Sequence, residues 1–485
     1  MSLSSSLSNA LSGLNASSRG AQVVSSNISN ALTEGYGRRV LETSASTVMG
    51  AGSGVQVDGV RRDTNLALIS DRRLSQSDLG QAQTRADGLA RVEAALGTPD
   101  SPDSIAGRMA ALESALVAAA SRPDSATRLA DVKTAAQSVA GSIQMASDDL
   151  QSIRMQADSA IAGEVELLNG TLREIADLNT EIRSHYGTRT DMSALFDERQ
   201  VLVDRIAEVV PLRQIQRDHG TIALYTETGA ALVDGRASEF SFDQVGVITP
   251  DMTIASGALS GLTLNGEPVR AVGSHAPMGG GRLEALFEQR DQTVPAAQAN
   301  LDALARDLIE RFEAPGVDPS ATPGAPGLFT DNGLVLDPAN ELGLSARISV
   351  NATVDPDQGG DLWRLRTGLG APAAGDVGDS TLLNAFADAL SNTRVPSSGT
   401  FGSQPMSASG LATEAVSRIS VQAHWAAEEE GFASARTNAL KEAELQGGVD
   451  TDAELQNLML YEQAYAANAK VIQAVDEMMQ MLMEI

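Results

Sequence analysis

Residues 455–482 read LQNLMLYEQAYAANAKVIQAVDEMMQML, and the reading of that stretch decides the fold class. Leu458, Tyr461, Tyr465, Asn468, Ile472, Val475, Met479 and Leu482 follow one another in alternating steps of three and four, the seam of a helix that packs along its length. Met481 and Met483 widen the stripe in the last turns, between Met478 and Ile485. The opposite end of the chain carries the same rhythm in Leu3, Leu7, Ala10, Leu14, Ser17, Ala21, Val24, Ile28 and Ala31. The remaining faces of that segment are Ser, Asn and Gln, with Arg19 its one charge, so it is expected to be enclosed by neighbours on several sides. Two helices of some 30 residues, each about 45 Å long, at opposite ends of one chain predict a paired coiled coil.

Between them a third long pattern runs through Leu129, Val132, Ala136, Val139, Ile143, Ala146, Leu150, Ile153, Ala157 and Ala160, and resumes at Leu168, Ile175 and Ile182. It predicts a helix over 124–184, with Gly163 and Gly170 as its weak points. Further helices are predicted at 61–97, 192–208, 280–314, 378–392 and 407–447. No proline precedes Pro99 or follows Pro405, which leaves both ends free to be long helices.

A β-rich stretch is expected at 209–278. Leu212 to Ile215 and Ile222 to Tyr225 flank the turn Asp218-His219-Gly220, and Glu239 to Phe242 alternates as a half-buried strand does. Thr263-Leu264-Asn265-Gly266 marks another turn. Residues 315–376, rich in Gly and Pro with short apolar runs such as Ala346 to Val350, read as a loop-rich insertion or a small β element. The expected fold class is therefore mainly α with a β-rich subdomain. Residues 1–32 and 452–485 form the terminal coiled coil, 33–60 a linker and strand, and 61–451 a central helical domain.

Composition narrows the function. The 485 residues carry a formal net charge of −28, which disfavours nucleic acid and anionic membrane surfaces, both of which need Lys and Arg. There is no cysteine, so disulfides, thiolate metal sites and Cys nucleophiles are excluded. The first eighteen residues carry no charged side chain and lack the basic start and apolar run of a secretory signal, which predicts either a cytoplasmic protein or export without a cleaved signal. No lysine follows a glycine, so there is no phosphate-binding P-loop, and no Gly-x-Ser-x-Gly elbow occurs. His185, His219, His275 and His424 are expected in surface roles. Gly50 to Gly54 precedes a strand-like Val55-Gln56-Val57, whereas a dinucleotide loop follows a strand, so it reads as a turn. Asp355 to Asp361 lacks the terminal glutamate of a calcium loop and reads as a turn as well. No catalytic, cofactor-binding or metal-binding residue is assigned.

The end segments resemble a known group. Leu11-Ser12-Gly13-Leu14-Asn15-Ala16, then Asn27-Ile28-Ser29-Asn30-Ala31 and Gly35-Tyr36, resemble the opening shared by the rod, hook and junction proteins of the bacterial flagellar axis. Glu34 stands where that opening usually has proline. Three further stretches are similar to the hook–filament junction family in particular. They are Gly52 to Arg62, Leu195-Phe196-Asp197-Glu198-Arg199-Gln200-Val201-Leu202 with Ala231 to Gly235, and Gly448-Val449-Asp450 with Leu455 to Leu458 and Tyr461 to Ile472. Residues 315–400 match poorly, where larger members carry an inserted outer domain.

The resemblance implies a structural, non-enzymatic subunit of the extracellular flagellum. It implies export by the flagellar type III apparatus and assembly with itself into a tube. Its partners would be the hook protein, a second junction protein and an export chaperone at the C-terminal helix, with no nucleic acid, membrane or cofactor. Its expected assembly positions are Leu3, Leu7, Leu14, Val24 and Ile28 at one end and Leu458, Tyr465, Ile472, Val475, Met479 and Leu482 at the other. The alternatives are another axial subunit of the hook or distal rod, a rod-associated peptidoglycan hydrolase, which would need an acid pair that does not stand out, and an amphipathic membrane binder, which would need a Lys and Arg face that the N-terminal helix lacks.

Overall fold

The computed structural model describes residues 3–48, 51–98, 101–188, 191–273 and 275–483. Gly50 of the glycine run and Ile485 of the methionine stripe lie outside them. In chain order the elements are α1 (Leu3–Ser29), a long hairpin of β1 (Arg38–Val48) and β2 (Ala51–Asp63), α2 (Leu66–Leu96), α3 (Ile105–Ser121), α4 (Ala126–His185) and α5 (Ser193–Val209). Short strands follow: β3 (Leu212–Gln216), β4 (Ile222–Thr226), β5 (Ala231–Asp234), β6 (Arg236–Ala237), β7 (Phe240–Ser241), β8 (Leu262–Leu264) and β9 (Glu267–Val269). The chain then returns to helix in α6 (Gly281–Glu288) and α7 (Val294–Glu313), joined through a π-helical turn, Gln289–Thr293. After them come β10 (Phe329–Asp331), α8 (Leu344–Arg347), β11 (Ile348–Val350), α9 (Arg364–Thr367), α10 (Thr381–Ser391), α11 (Ala408–Gln446) and α12 (Thr451–Met483).

Side-chain caps set the helix starts. Asn65, Ser104, Ser125 and Ser407 each accept from the backbone N–H three residues on, in α2, α3, α4 and α11, and Asp450 does the same for Ala453 in α12. The 60-residue α4 runs unbroken through Gly163 and Gly170, because nothing lies near either backbone and its apolar stripe supplies the packing.

Two apolar cores lie along α4. Its first half, with Ile143 and Leu150 fully buried, packs against α3, α7, α10 and the start of α11. Its second half, with Leu168, Leu172 and Ile175, packs against α5, α6 and the sheets. A polar layer separates them. Arg290, fully buried, bonds Asp158 at 2.7 Å and Asp291 at 2.8 Å. Arg154 donates to the backbone carbonyls of Arg290, Thr249 and Met252. Each charge of this layer therefore has a partner, which its desolvation requires.

All strand pairs are antiparallel: a four-stranded sheet in the order β3-β4-β5-β6, a three-stranded β7-β8-β9, and the pairs β1-β2 and β10-β11. Asn265 and Gly266 both have positive φ, which is what a two-residue hairpin turn needs. The loop-rich 315–376 stretch is not a detached insertion: Leu328, Phe329, Leu344, Ile348, Val354 and Leu365 lie in the first core. Phe329 meets Phe312 edge-on at 5.3 Å. Helix α3, the short helices α8 and α9 and the first strand of the long hairpin have no counterpart in the sequence reading.

Candidate assembly interface

The two terminal helices lie side by side and antiparallel. A Cβ on Gly13 would meet Asn468 at 2.7 Å, and one on Gly20 would meet the Tyr461 ring at 2.3 Å. As the residue number rises on α1 it falls on α12. Glycines one heptad apart thus form notches that let the helices approach closely.

The hairpin covers another side of α1. Ser12 Oγ accepts from Val55 N at 3.2 Å, and Gly54, at φ +98°, lies where a Cβ would strike Ser12 and Asn9. Together these neighbours bury Ala10, Ala16, Ser17, Gly20, Val23, Val24 and Asn27. Of the N-terminal seam positions, Val24 is buried, Leu3, Leu14 and Ile28 are half-buried, and Leu7 is exposed. On α12 Val475 is buried at 4%, Leu458 and Ile472 are half-buried, and Tyr465, Met479 and Leu482 are exposed. Leu455, Met459, Leu460, Val471, Met478 and Met481 are exposed too, so apolar side chains ring most of a helix that buries only Glu454 and Val475.

At its inner end the pair is tied to the helical body by a polar knot. Asn27, fully buried, exchanges two hydrogen bonds with the backbone of Arg39, both 2.9 Å, and accepts from the Tyr36 hydroxyl at 2.9 Å. Burial pushes the Tyr36 phenol up, against the pull of its bond with Ser26 and the nearby Arg39 charge. Asp197 on α5 accepts from Gly37 N at 3.0 Å, Arg62 Nε at 2.6 Å and Arg39 Nη2 at 3.3 Å. Arg62 also donates to Gly35 O and to Gln200. Arg38 reaches α12 through Glu454 at 2.8 Å, a carboxylate 1% exposed. Gly35 has φ +76°, and a Cβ there would sit 2.5 Å from Val201. The Asn27 to Tyr36 stretch, the Gly52 to Arg62 stretch and the Asp197 stretch, far apart in sequence, meet here.

One turn further along α2, Arg72 bonds Asp204 at 2.7 Å and Glu444 at 2.5 Å, and Arg73 bonds Asp204 at 2.5 Å. Ser75 and Thr437 exchange a buried bond at 2.9 Å. These contacts fix α2, α5 and α11 together below the knot. Sequence reading singled out none of these pairs, because each links residues more than 100 positions apart.

Residues 89–326 match the helical domain of the flagellar hook-associated protein FlgK, and residues 446–485 match the C-terminal segment of the basal body rod FlgEFG proteins. Flagellar hook-associated protein 1 of Bacillus subtilis is 21% identical over 96% of this chain and 95% of its own. The chain carries the helical domain of the FlgK family. That is a structural family of the flagellum, not an enzyme family. The Salmonella typhimurium hook-associated protein 1 is 27% identical over 48% of this chain, and the matched part spans 43% of that relative's length. The hook junction protein FlgK from Burkholderia pseudomallei is similar over 54% of this chain and 47% of its own, at 21% identity and a TM-score of 0.44.

Among the described residues no group of acids and histidines could hold a metal ion, and no helix is long and apolar enough to cross a membrane. Asp355 is occupied by Lys133, Gln137 and Gln358, and His424 makes an exposed contact with Glu428 at 3.5 Å.

Proposed function

We propose that this chain is the structural subunit that joins hook to filament, that it is exported by the flagellar type III apparatus, and that it assembles with itself into the axial tube. In this reading α1 and α12 act as a coiled coil on the tube's inner side. Hook protein lies on one face of the ring and a second junction protein on the other. Before export, a chaperone covers the methionine-rich end of α12.

The observation that carries the reading is the state of α12. A helix with Leu455, Met459, Leu460, Val471 and Met478 in water is unfavourable by about 25 cal/mol for each Å² of apolar surface that a partner would cover. Leu3, Leu7, Leu14, Val24, Ile28, Leu458, Tyr465, Ile472, Val475, Met479 and Leu482 then divide into two sets. The buried and half-buried ones hold α1 to α12. The exposed ones, Leu7, Tyr465, Met479 and Leu482, face neighbouring copies.

The test is deletion of the gene, with cells and culture fluid examined by electron microscopy and gel. Complete hooks without filaments, and flagellin shed into the medium, are expected. The 446–485 match to rod proteins favours a second reading, another rod or hook subunit, for which the hooks themselves would be missing. Normal filaments would overturn both.

A further inference from the structure

A cleft of about 970 Å³ opens between the long hairpin and the helical body, beside the polar knot. Arginines reach it from four elements: Arg19 from α1, Arg61 and Arg62 from β2, Arg73 from α2 and Arg199 from α5. Its lining sets these five arginines against three acids, Glu42, Asp58 and Asp191, in a chain whose acids outnumber its bases 63 to 35.

Most of the charges there are already matched. Arg61 bonds Glu42 at 2.8 Å, Arg62 bonds Asp197 and Arg73 bonds Asp204. The two remaining acids of the lining are held by neutral donors and keep their charge: Asp58 accepts from Ser44 Oγ at 3.0 Å, and Asp191 accepts from Ser193 N at 2.9 Å.

Two guanidinium groups are left over. Arg19 is exposed and has no hydrogen-bond or ion-pair partner among the described residues. Arg199 is 6% exposed, and no carboxylate among them lies within ion-pair distance of it. Its Nη1 braces Asn179 Oδ1 and Gly220 O, each at 2.9 Å, and its guanidinium stacks over Phe196 at 5.2 Å. Its other nitrogens have no acceptor among the described residues, and the side chain lines the cleft. A buried cation without a counter-ion is costly. Burial, then repulsion from Arg62 and Arg73, pulls Arg199 down to about 10.

We propose that this cleft is a carboxylate-binding slot, filled in the assembled state by an acidic side chain of a second copy of this chain and read by Arg199 and Arg19. A carboxylate entering it completes the charge-assisted bonds that Arg199 lacks. The excess of acids on every copy supplies the complementary charge. The choice of a second copy rests on the self-assembly proposed above.

The slot is tested first on the free full-length chain, with succinate as the probe. Succinate should slow hydrogen exchange over residues 55–62 and 195–200, and R199Q should bind it about tenfold more weakly. Because Arg199 also braces Asn179, the melting of R199Q is measured alongside, and R19E, at an exposed position, gives the same weakening without touching that brace. No protection in the wild type, or equal protection in R19E and in folded R199Q, overturns the slot.

The occupant is then read in flagella isolated from cells carrying R19K, treated with a carbodiimide. Cross-links from the introduced lysine to an Asp or Glu of another copy support the proposal, and cross-links confined to the same copy or to another protein overturn it. Absence of the chain from isolated flagella would instead sink the functional reading, while the succinate result would still stand for the slot.

Discussion

Arg62 donates its Nε to Asp197 Oδ1 at 2.6 Å, across 135 residues of sequence and from a hairpin strand to a helix of the body. The same carboxylate holds Gly37 and Arg39. The covalent turn between α11 and α12 is a second link, and Arg38 with Glu454 braces that side. The position of the terminal pair relative to the body therefore depends strongly on one side chain on α5.

Asp197→Ala leaves three N–H donors facing a vacated site. Opening of residues 33–37 and 62–63 should become easier by about 2 kcal/mol, since a hydrogen bond to a charged group contributes on that order. Exchange in the α4 segment around Ile143 and Leu150 should not change. Hydrogen exchange by mass spectrometry reads both. Equal exchange at 33–37 in the variant and the wild type would show that the knot does not depend on Asp197.

Gly20→Ala places a methyl where the Tyr461 ring now lies, 2.3 Å from its nearest carbon. Either the ring turns out or the helices part, at about 2 kcal/mol of overpacking. Exchange over 458–475 should rise, with the midpoint of central unfolding unchanged. Gly163→Ala, at an open position on α4, is the control and should slightly stabilise.

Val475 and Met479 separate pairing from assembly. Val475→Asp puts a charge into a 4% exposed site and should loosen α12 from α1 in the free chain. Met479→Asp, at 49% exposed, should leave the free chain's circular dichroism unchanged and still abolish filament growth and swimming. A Met479→Asp strain that swims normally would remove the exposed stripe from the proposed interface.

Glu164 gives a pH signature. Burial holds its carboxyl above the usual range, with Glu208 adding to that and Arg282, 3.2 Å away, opposing it. The folded state therefore binds this proton more tightly than the unfolded chain. That contribution is full below the unfolded pKa and is lost as pH rises through the folded one. Glu164→Gln lacks the slope, so its stability relative to the wild type should improve as pH rises from the ordinary carboxylate range through the raised pKa. Urea unfolding at several pH values measures it, and a constant difference would contradict it.

Long, strongly periodic segments were the legible part of this chain. The seam from Leu129 to Ile182 predicted a helix over 124–184 and the observed one is Ala126–His185, because no proline or competing pattern interrupts it. The hairpin at Asp218-His219-Gly220 was legible through its turn, where both His219 and Gly220 take positive φ. Helix α3 was not, since IAGRMAALESALVAAAS is alanine-rich on every side and its stripe is faint. Strand β1 was not either: its residues pair only with β2, so one face need not be apolar, and Arg, Glu, Thr and Ser break the alternation. On α1 the helix was legible but its buried face was not. Gly20 and Asn27 hide better than Leu7 because close approach of Tyr461 rewards the lack of a side chain, and a buried amide is satisfied by the Arg39 backbone. Asp197 and Arg199 lay inside a stretch recognised by its likeness to the junction family. Their partners are set by tertiary contacts that no local pattern announces.

The antiparallel course of α1 and α12 gives the knot mechanical leverage. Helix α1 has 27 residues, so its far end projects about 40 Å from Asn27. A 10° rotation about Asp197 would sweep the Leu3 end through about 7 Å, on the scale of a helix radius. Small angular differences at that pivot are thus magnified into different tip positions, which in the self-assembly proposed above would let identical subunits reach differently placed neighbours.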